Sequence, residues 1–358
     1  MTQTQLKAGK RQRDPFFDNA RFILVALVVL GHLISPVREG NGALFFANNF
    51  LTSFRMPALI LLTGFFTKHF CREPKRYIKK LLIGIFIPYL LFQIFYLRMD
   101  GLAENGEQLM ANLFAPNFGM WFLLSLLAWN LLLFPFSKLK HPILTAFFIG
   151  TAIGWVDWAG EYLSISRTFV FFPLFLIGHY LQREQMEWFK KKKAKIAAVC
   201  SMAVSWMILS FFSLEQARNA LLARQPYAEI AGSALEGTAI RLVFYGLMFL
   251  GILSFLPWVP KKEFAFTYLG RRTAYVYLLH LFFIKVFTGI DLFPSEPGIW
   301  FFVALPVVWL AIVFWTSSNA VVFFAKPAVE GKFAALLLQG SPSVMNTINQ
   351  LTWLAHKK

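Results

Sequence analysis

Charge is what this chain is short of. Only 15% of its 358 residues are charged, against 57% hydrophobic ones, and a water-soluble domain of this length would need far more polar surface. Acidic residues are scarcer still, 18 against 35 Lys and Arg, so the basic surface is not neutralised along the chain. The two cysteines, Cys71 in a basic loop and Cys200 within an apolar run, exclude a disulfide framework. No metal is expected either, since the scattered His residues lack a second ligand at helical spacing. Linkers, low-complexity tracts and internal repeats are absent. That excludes a separately folding soluble domain and disfavours transporter folds built from duplicated halves. The first twenty residues are polar, and no small-residue cleavage site follows the first apolar run, so that run reads as an anchor rather than a removable signal.

What is abundant is apolar and aromatic: 42 Phe and 11 Trp, gathered in runs of roughly 17 to 25 residues, the length that crosses a hydrocarbon core as a helix. About ten such runs fall at 21–37, 43–66, 81–97, 119–136, 142–158, 168–181, 195–213, 239–257, 274–290 and 299–324. An all-α polytopic membrane protein follows. Basic residues gather in alternate loops: Lys7 to Arg13, Lys68 to Lys80, Lys138 and Lys140, Arg183 to Lys195, Lys261 to Arg272, and Lys326 to Lys358. The intervening loops carry acids such as Asp100, Glu104 and Glu107, then Asp157 and Glu161, then Asp291 and Glu296. Cytoplasmic loops are enriched in Lys and Arg, so both termini are predicted to be cytoplasmic. The net charge of +17 then reads as topology plus attraction to membrane lipid, and no basic folded module is present to bind nucleic acid. The expected organisation is a cytoplasmic segment 1–20, a transmembrane domain 21–324 and a cytoplasmic tail 325–358, as a multi-pass protein of the cell membrane.

Within the first run stands His32, just after Gly31 and eleven residues after Arg21. At about 100° per residue, eleven steps return to within about 20° of the starting direction, and the rise sets the two groups roughly 16 Å apart on one helix face. An ionisable group inside a membrane segment is a functional-site hypothesis by default; a hydrogen bond to a neighbouring helix is the alternative. Arg55, in the second run two residues before Pro57, is a second such group.

Other stretches join these in order: Phe17-Asp18-Asn19-Ala20-Arg21, Leu30-Gly31-His32, Phe54-Arg55-Met56-Pro57, Thr63-Gly64-Phe65-Phe66, Lys75-Arg76-Tyr77-Ile78-Lys79-Lys80 and Pro88-Tyr89. Farther on come Met120-Trp121-Phe122-Leu123, Phe172-Pro173-Leu174-Phe175-Leu176-Ile177-Gly178, and Tyr268-Leu269-Gly270-Arg271-Arg272-Thr273-Ala274-Tyr275-Val276-Tyr277-Leu278-Leu279-His280. In this order, over nearly the whole chain, the sequence resembles the acyltransferase 3 family of integral membrane acyltransferases, in particular members similar to fucose 4-O-acetylase. The resemblance implies transfer of an acyl group, usually acetyl from acetyl-CoA, to a hydroxyl of a surface or secreted carbohydrate. It places the family's arginine and histidine on Arg21 and His32. The family's basic pair after the second helix falls on Arg76 and Lys79, where a lysine replaces the common arginine and a point charge replaces a bidentate fork. Thr63 stands where serine is common, and Arg55 where histidine is often found.

The chemistry fits these residues. Moving an acyl group from a thioester to an alcohol requires removal of the alcohol proton, and a neutral imidazole suits that near neutral pH. His32 is the candidate base; direct transfer and a two-step route through an acyl-histidine both remain open. Arg55 could stabilise the oxyanion formed at the thioester carbonyl or bind backbone carbonyls freed beside Pro57. Arg21, Arg76 and Lys79 are the candidates for the phosphates of acetyl-CoA, which stay at the cytoplasmic face while the pantetheine arm reaches His32. Ordinary positive-inside charge is the other reading of Arg76 and Lys79. Asp18 can pair with Arg21 or serve as a helix-start acid. His280 could orient His32 or line the acceptor path, or make an interhelical hydrogen bond. Trp121 is either a sugar-stacking platform or part of an interfacial aromatic belt. The loops 98–118 and 214–238 are where acceptor recognition is expected, and Gly64, Gly178 and Gly270 read as close-packing residues. With no esterase-like domain after the helices, the acyl group would go directly to the carbohydrate or to a separate extracytoplasmic acyl-accepting partner. The alternative function is a proton-coupled transporter or exporter of a small molecule or glycan precursor, since intramembrane ionisable groups mark such pathways too.

Overall fold

A computed structural model describes residues 13–68, 73–160 and 162–332. These are helical throughout, with no strand among the described residues. The first half contains α1 (Pro15–Ile34), α2 (Gly42–Phe65), α3 (Pro74–Leu81), a π-helical turn (Leu82–Phe86), α4 (Ile87–Met99), α5 (Gly106–Leu113), α6 (Trp121–Phe136), α7 (Pro142–Ala152) and α8 (Ile165–Tyr180). The second half contains α9 (Arg183–Glu187), α10 (Lys192–Ser210), α11 (Leu214–Leu222), α12 (Tyr227–Ile230), α13 (Ala234–Phe255), α14 (Thr273–Gly289), α15 (Ile299–Thr316) and α16 (Asn319–Val329).

Eight of the described helical stretches are long and apolar enough to cross a membrane. The expected fifth and ninth spans are present as the shorter helices Pro142–Trp155 and Thr273–Gly289. The expected tenth is not one helix. It breaks at Ser317 and Ser318, where the Ser318 hydroxyl caps α16 by accepting from Val321 N at 3.3 Å. Arg272 grips the break, donating to the Ser317 carbonyl at 2.7 Å and to Asn319 Oδ1 at 2.6 Å.

The first helix starts six residues before the expected boundary at 21. Asp14 caps it by accepting from Phe16 N at 3.1 Å, and Pro15 at its first position is pre-set for the helix. Asp18 and Asn19, polar enough to read as outside, are buried because each is satisfied. Asp18 pairs with Arg13 at 2.6 Å. Asn19 donates to the carbonyls of Pro260 and Lys262 at 2.9 and 3.0 Å and accepts from Thr267 at 2.7 Å, tying the loop before α14 onto α1. Helix α16 likewise runs past 324. Residues 1–12 and 333–358, and Cys71, lie outside the described residues, while Cys200 is free and exposed.

Helix α2 is central, packing against α1, α8, α11 and α13. Glycines bring these backbones together. A Cβ at Gly64 would meet the Phe175 carbonyl, one at Gly178 the Leu61 carbonyl, and one at Gly270 the Asp18 carbonyl. The α2–α8 contact is therefore reciprocal. Two further crossings use a proline. Pro57 and Pro173 supply no N–H, so the carbonyls four residues earlier, of Ser53 and Phe169, lose their helical donors. A Cβ at Gly251 of α13 would stand 2.6 Å from the Ser53 oxygen, and one at Gly150 of α7 would stand 2.6 Å from the Phe169 oxygen. In each case a glycine lets a neighbouring helix close over the freed carbonyl.

The α1–α2 contact adds a buried cation. The Arg55 guanidinium lies where a side chain at Gly31 would stand, donating to the Leu27 carbonyl and to Asn48 Oδ1, both at 3.4 Å.

Two stability tests follow from this packing. Gly178→Val is expected to destabilise the purified protein by about 1–3 kcal/mol through overpacking, read as a lowered Tm, whereas Gly246→Ala, which meets nothing within 4 Å, is expected to leave the Tm unchanged or raised. Gly31→Ala and Arg55→Leu are expected to be non-additive. The double variant should lose less stability than the sum of the single losses, and strict additivity would show that the two positions do not press on each other.

Candidate active site

His32 stands two residues before the end of α1 and lines a cavity of about 150 Å³. Phe118 and His280 flank its ring, with centroids 5.0 and 5.3 Å away. Among the described residues His32 has no hydrogen-bond partner, so its ring is held by packing. Arg55 lies behind it against Gly31 and lines the same cavity. His280 is fully buried on α14. Its Nδ1–H donates to the Val276 carbonyl of its own helix at 3.0 Å, which leaves Nε2 as the lone-pair nitrogen, buried and without a partner. Of the readings open for His280, the interhelical hydrogen bond is not the one made: the ring bonds within its own helix and packs against His32.

Trp121 also lines this cavity, packed on Phe171 at 5.5 Å with the Arg167 guanidinium 5.0 Å over its ring. Three sequence candidates, His32, Arg55 and Trp121, therefore share one cavity, and His280 abuts it. Arg38, Arg218 and Arg224 complete its arginine wall with Arg55 and Arg167. Burial, followed by the nearby Arg218 charge, pushes the Arg38 guanidinium below its usual pKa, against the raising effect of Glu39 and Glu215. An adjoining cavity of about 350 Å³ shares Phe118, Arg167 and Arg224 and reaches Asp100, Asn112 and Asn117.

A second pocket, of about 610 Å³, lies at the opposite end of α1, among the basic loops. It holds Arg21, whose guanidinium sits 4.1 Å over the Phe66 ring and 3.8 Å from Asp18. Arg13, Lys68 and Arg183 join it in the wall, together with Asp14, Asp18 and Glu184. Lys68 donates to the Leu181 carbonyl, and burial holds its ammonium below the usual pKa, with Glu184 opposing. Lys190 bonds Asp14 at 2.6 Å and so anchors the segment after α9 to the start of α1.

Arg76 and Lys79 are not brought to Arg21. Both are exposed on α3, outside the wall of this pocket, and Arg76 pairs with Glu73 at 3.2 Å. The residues that sequence reasoning missed are Arg13, Lys68 and Arg183 at the basic end and Arg38, Arg167, Arg218 and Arg224 at the other. A signal for the second group was present. All four fall in segments that the charge alternation assigns to the acid-rich side, where basic residues need a reason. The loops 98–118 and 214–238 supply wall residues to this cavity, Phe118 from the first and Arg218 and Arg224 from the second.

A family model for an acyltransferase domain matches residues 14–317, nearly the whole described helical bundle. No curated protein and no solved structure matches the chain. With its membrane-length helices and a histidine-lined cavity inside the matched region, the chain belongs to the acyltransferase 3 family and is a multi-pass membrane acyltransferase.

Proposed function

We propose that the protein transfers acetyl from cytoplasmic acetyl-CoA to a hydroxyl of a surface or secreted carbohydrate, with His32 as the general base. The observation that carries this reading is the span of α1, which puts Arg21 in the wall of the basic-end pocket and His32 in the wall of the far cavity, roughly 16 Å apart along one helix face. That separation suits a donor whose phosphates stay at the cytoplasmic end while its acyl-bearing arm reaches into the membrane. The basic-end pocket has the chemistry for such phosphates in Arg13, Arg21, Lys68 and Arg183, and apolar faces in Phe65 and Phe66. Arg76 and Lys79, outside that wall, supply surface charge for the same approach.

At the far cavity the acceptor hydroxyl would give its proton to His32 as its oxygen bonds to the acyl carbon. The carbon–sulfur bond breaks, and the proton held by His32 passes to the departing thiolate, so an ester and a free thiol result. Arg55 is placed to offset negative charge developing on the carbonyl oxygen. His280, pinned through Nδ1, packs against the His32 ring and limits its rotation. Trp121 offers an aromatic face of the kind that suits the flat apolar side of a sugar.

Membranes containing the protein should move labelled acetyl from acetyl-CoA to carbohydrate, and His32→Ala should lower that transfer by about 10²–10⁴, the range for loss of a positioned acid–base group. The inserted protein level is measured alongside, and full transfer by a normally inserted His32→Ala variant would refute the assigned base. Arg21→Ala is expected to raise the KM for acetyl-CoA with a smaller effect on kcat. An unchanged KM would move the phosphates away from the basic-end pocket.

A further inference from the structure

Backbone strain gathers around the two joined cavities. Among the described residues five that are not glycine hold a left-handed φ: Phe118, Leu163, Ser164, Ala223 and Asp291. Phe118 lines both cavities and Ser164 the larger one, Leu163 precedes Ser164, and Ala223 stands between the wall residues Leu222 and Arg224. These four belong to three separate segments, and hydrogen bonds tie the segments together. Leu163 N donates to the Phe114 carbonyl at 2.7 Å, Ser166 Oγ to the Ala223 carbonyl at 2.8 Å and Arg167 Nε to the Leu222 carbonyl at 3.2 Å. Conformations of this kind persist only where the surroundings over-determine them, and they cluster at functional sites.

Phe118 is the least expected of the four. A bulky side chain at φ +47° is an outlier, and glycine or asparagine would sit there with less strain. Packing does not account for it, because the side chain is 46% exposed. The chain on either side is pinned nonetheless. Asn117 N donates to Gln93 Oε1 at 2.9 Å and Asn117 Oδ1 accepts from Lys285 at 3.3 Å, while the Gly119 carbonyl accepts from the Tyr277 hydroxyl at 2.5 Å. The result is an aromatic ring held 5.0 Å from that of His32, in the wall that both cavities share.

The cavity at His32, about 150 Å³, falls below the range of roughly 300–1,000 Å³ typical of small-molecule sites, and the adjoining one, about 350 Å³, falls within it. We infer that Phe118 is a fixed gatepost for the acceptor: the body of the sugar rests in the adjoining cavity, one hydroxyl reaches past the ring to His32, and the ring keeps bulk water from the acyl carbon. The chemical part of this inference rests on the acetyl-transfer reading; the geometric part does not. Without the ring, water takes the place of the alcohol. Its oxygen bonds to the acyl carbon, the carbon–sulfur bond breaks, and acetate, free thiol and one proton result. Exclusion of water is what guards a reactive intermediate or donor against that side reaction.

The geometry is read with diethyl pyrocarbonate, which places an ethoxycarbonyl group on an imidazole nitrogen with loss of carbon dioxide and ethanol. The purified full-length protein in detergent is treated at neutral pH, and labelling of His32 is followed by peptide mass spectrometry against the exposed His141 of the same sample. Phe118→Gly and Phe118→Asn, which remove the ring and suit the left-handed φ, should raise the His32 rate several-fold, and Phe118→Tyr, which keeps a ring, should bring back the slow rate. Met110→Ala, at an exposed apolar position of α5 outside both walls, should leave it as it is. The reaction is read on the same preparations as thiol released from acetyl-CoA with no carbohydrate present, which should rise several-fold in Phe118→Gly and Phe118→Asn alone. An unchanged His32 rate in both of these variants would overturn the inference. So would loss of fold in both while Phe118→Tyr folds, since Phe118 would then be a packing residue. Faster labelling with unchanged thiol release, in preparations that transfer acetyl to carbohydrate, would overturn the water barrier. Faster labelling in a protein that neither transfers acetyl nor releases thiol would leave the gatepost standing and count against acetyl transfer.

Discussion

A guanidinium pressed against a helix at a point where no side chain stands fixes the geometry on which the site depends. Arg55 of α2 lies over Gly31 of α1, and because successive residues are about 100° apart around a helix, this one contact sets the rotation of α1. His32 is the next residue and Arg21 lies within about 20° of it. The rotation that lays Gly31 under Arg55 is therefore the one that turns His32 to the cavity and Arg21 to the basic-end pocket. A buried charge is costly unless it finds partners or water, and Arg55 meets that requirement through the Leu27 carbonyl, Asn48 and the cavity it lines. The same group thus locks two helices and charges the site.

The frame around this contact is rigid for a different reason. Lipid offers no hydrophobic gain for bringing one apolar helix to another, so close packing and polar contacts must hold the bundle. Gly64 and Gly178 do so reciprocally between α2 and α8, and the Pro57–Gly251 and Pro173–Gly150 crossings do so over carbonyls that lack helical donors. Helix α2 takes part in both kinds of crossing. On it, Asn48, Thr52 and Arg55 recur at intervals of four and three residues, which puts them on one face, and that face lines the cavity. The polar stripe and the glycines serve one end: the helix that carries the cavity floor is the one most closely held by its neighbours.

Much of this was legible in the sequence, and the limits were physical. Run length located the spans because hydrocarbon thickness imposes it; Arg21, His32, Arg55 and His280 were visible as ionisable residues in or beside apolar runs, and Trp121 through the motifs of the family resemblance. Where a polar residue is satisfied by a partner far along the chain, the sequence misled. Asn19 looked like part of a solvated segment because its partners lie in the loop at 260–267. The split between α15 and α16 was hidden because the residue that grips it, Arg272, lies in the basic loop just before another span. Arg76 and Lys79 were grouped with Arg21 on shared charge, but which cations surround a pocket depends on how loops fold back, and Lys68 and Arg183 are the ones placed there.

The two ends of α1 differ in how their charge is balanced, and the difference bears on how a two-substrate site works. At the basic end, cations alternate with Asp14, Asp18 and Glu184, and the ion pairs Arg13–Asp18 and Lys190–Asp14 hold the wall in place. Such a pocket is preorganised yet close to neutral, and the proposed polyanionic donor would gain from that, since binding more tightly than the transition state requires slows release without speeding chemistry. The far cavity has five lining arginines and, among the described residues, no lining carboxylate, and the partners printed for Arg38 and Arg218, Glu39 and Glu215, sit outside its wall. Because Arg55 belongs to both the cavity wall and the α1–α2 contact, anything that shifts this guanidinium acts on the same contact that turns His32 to the cavity.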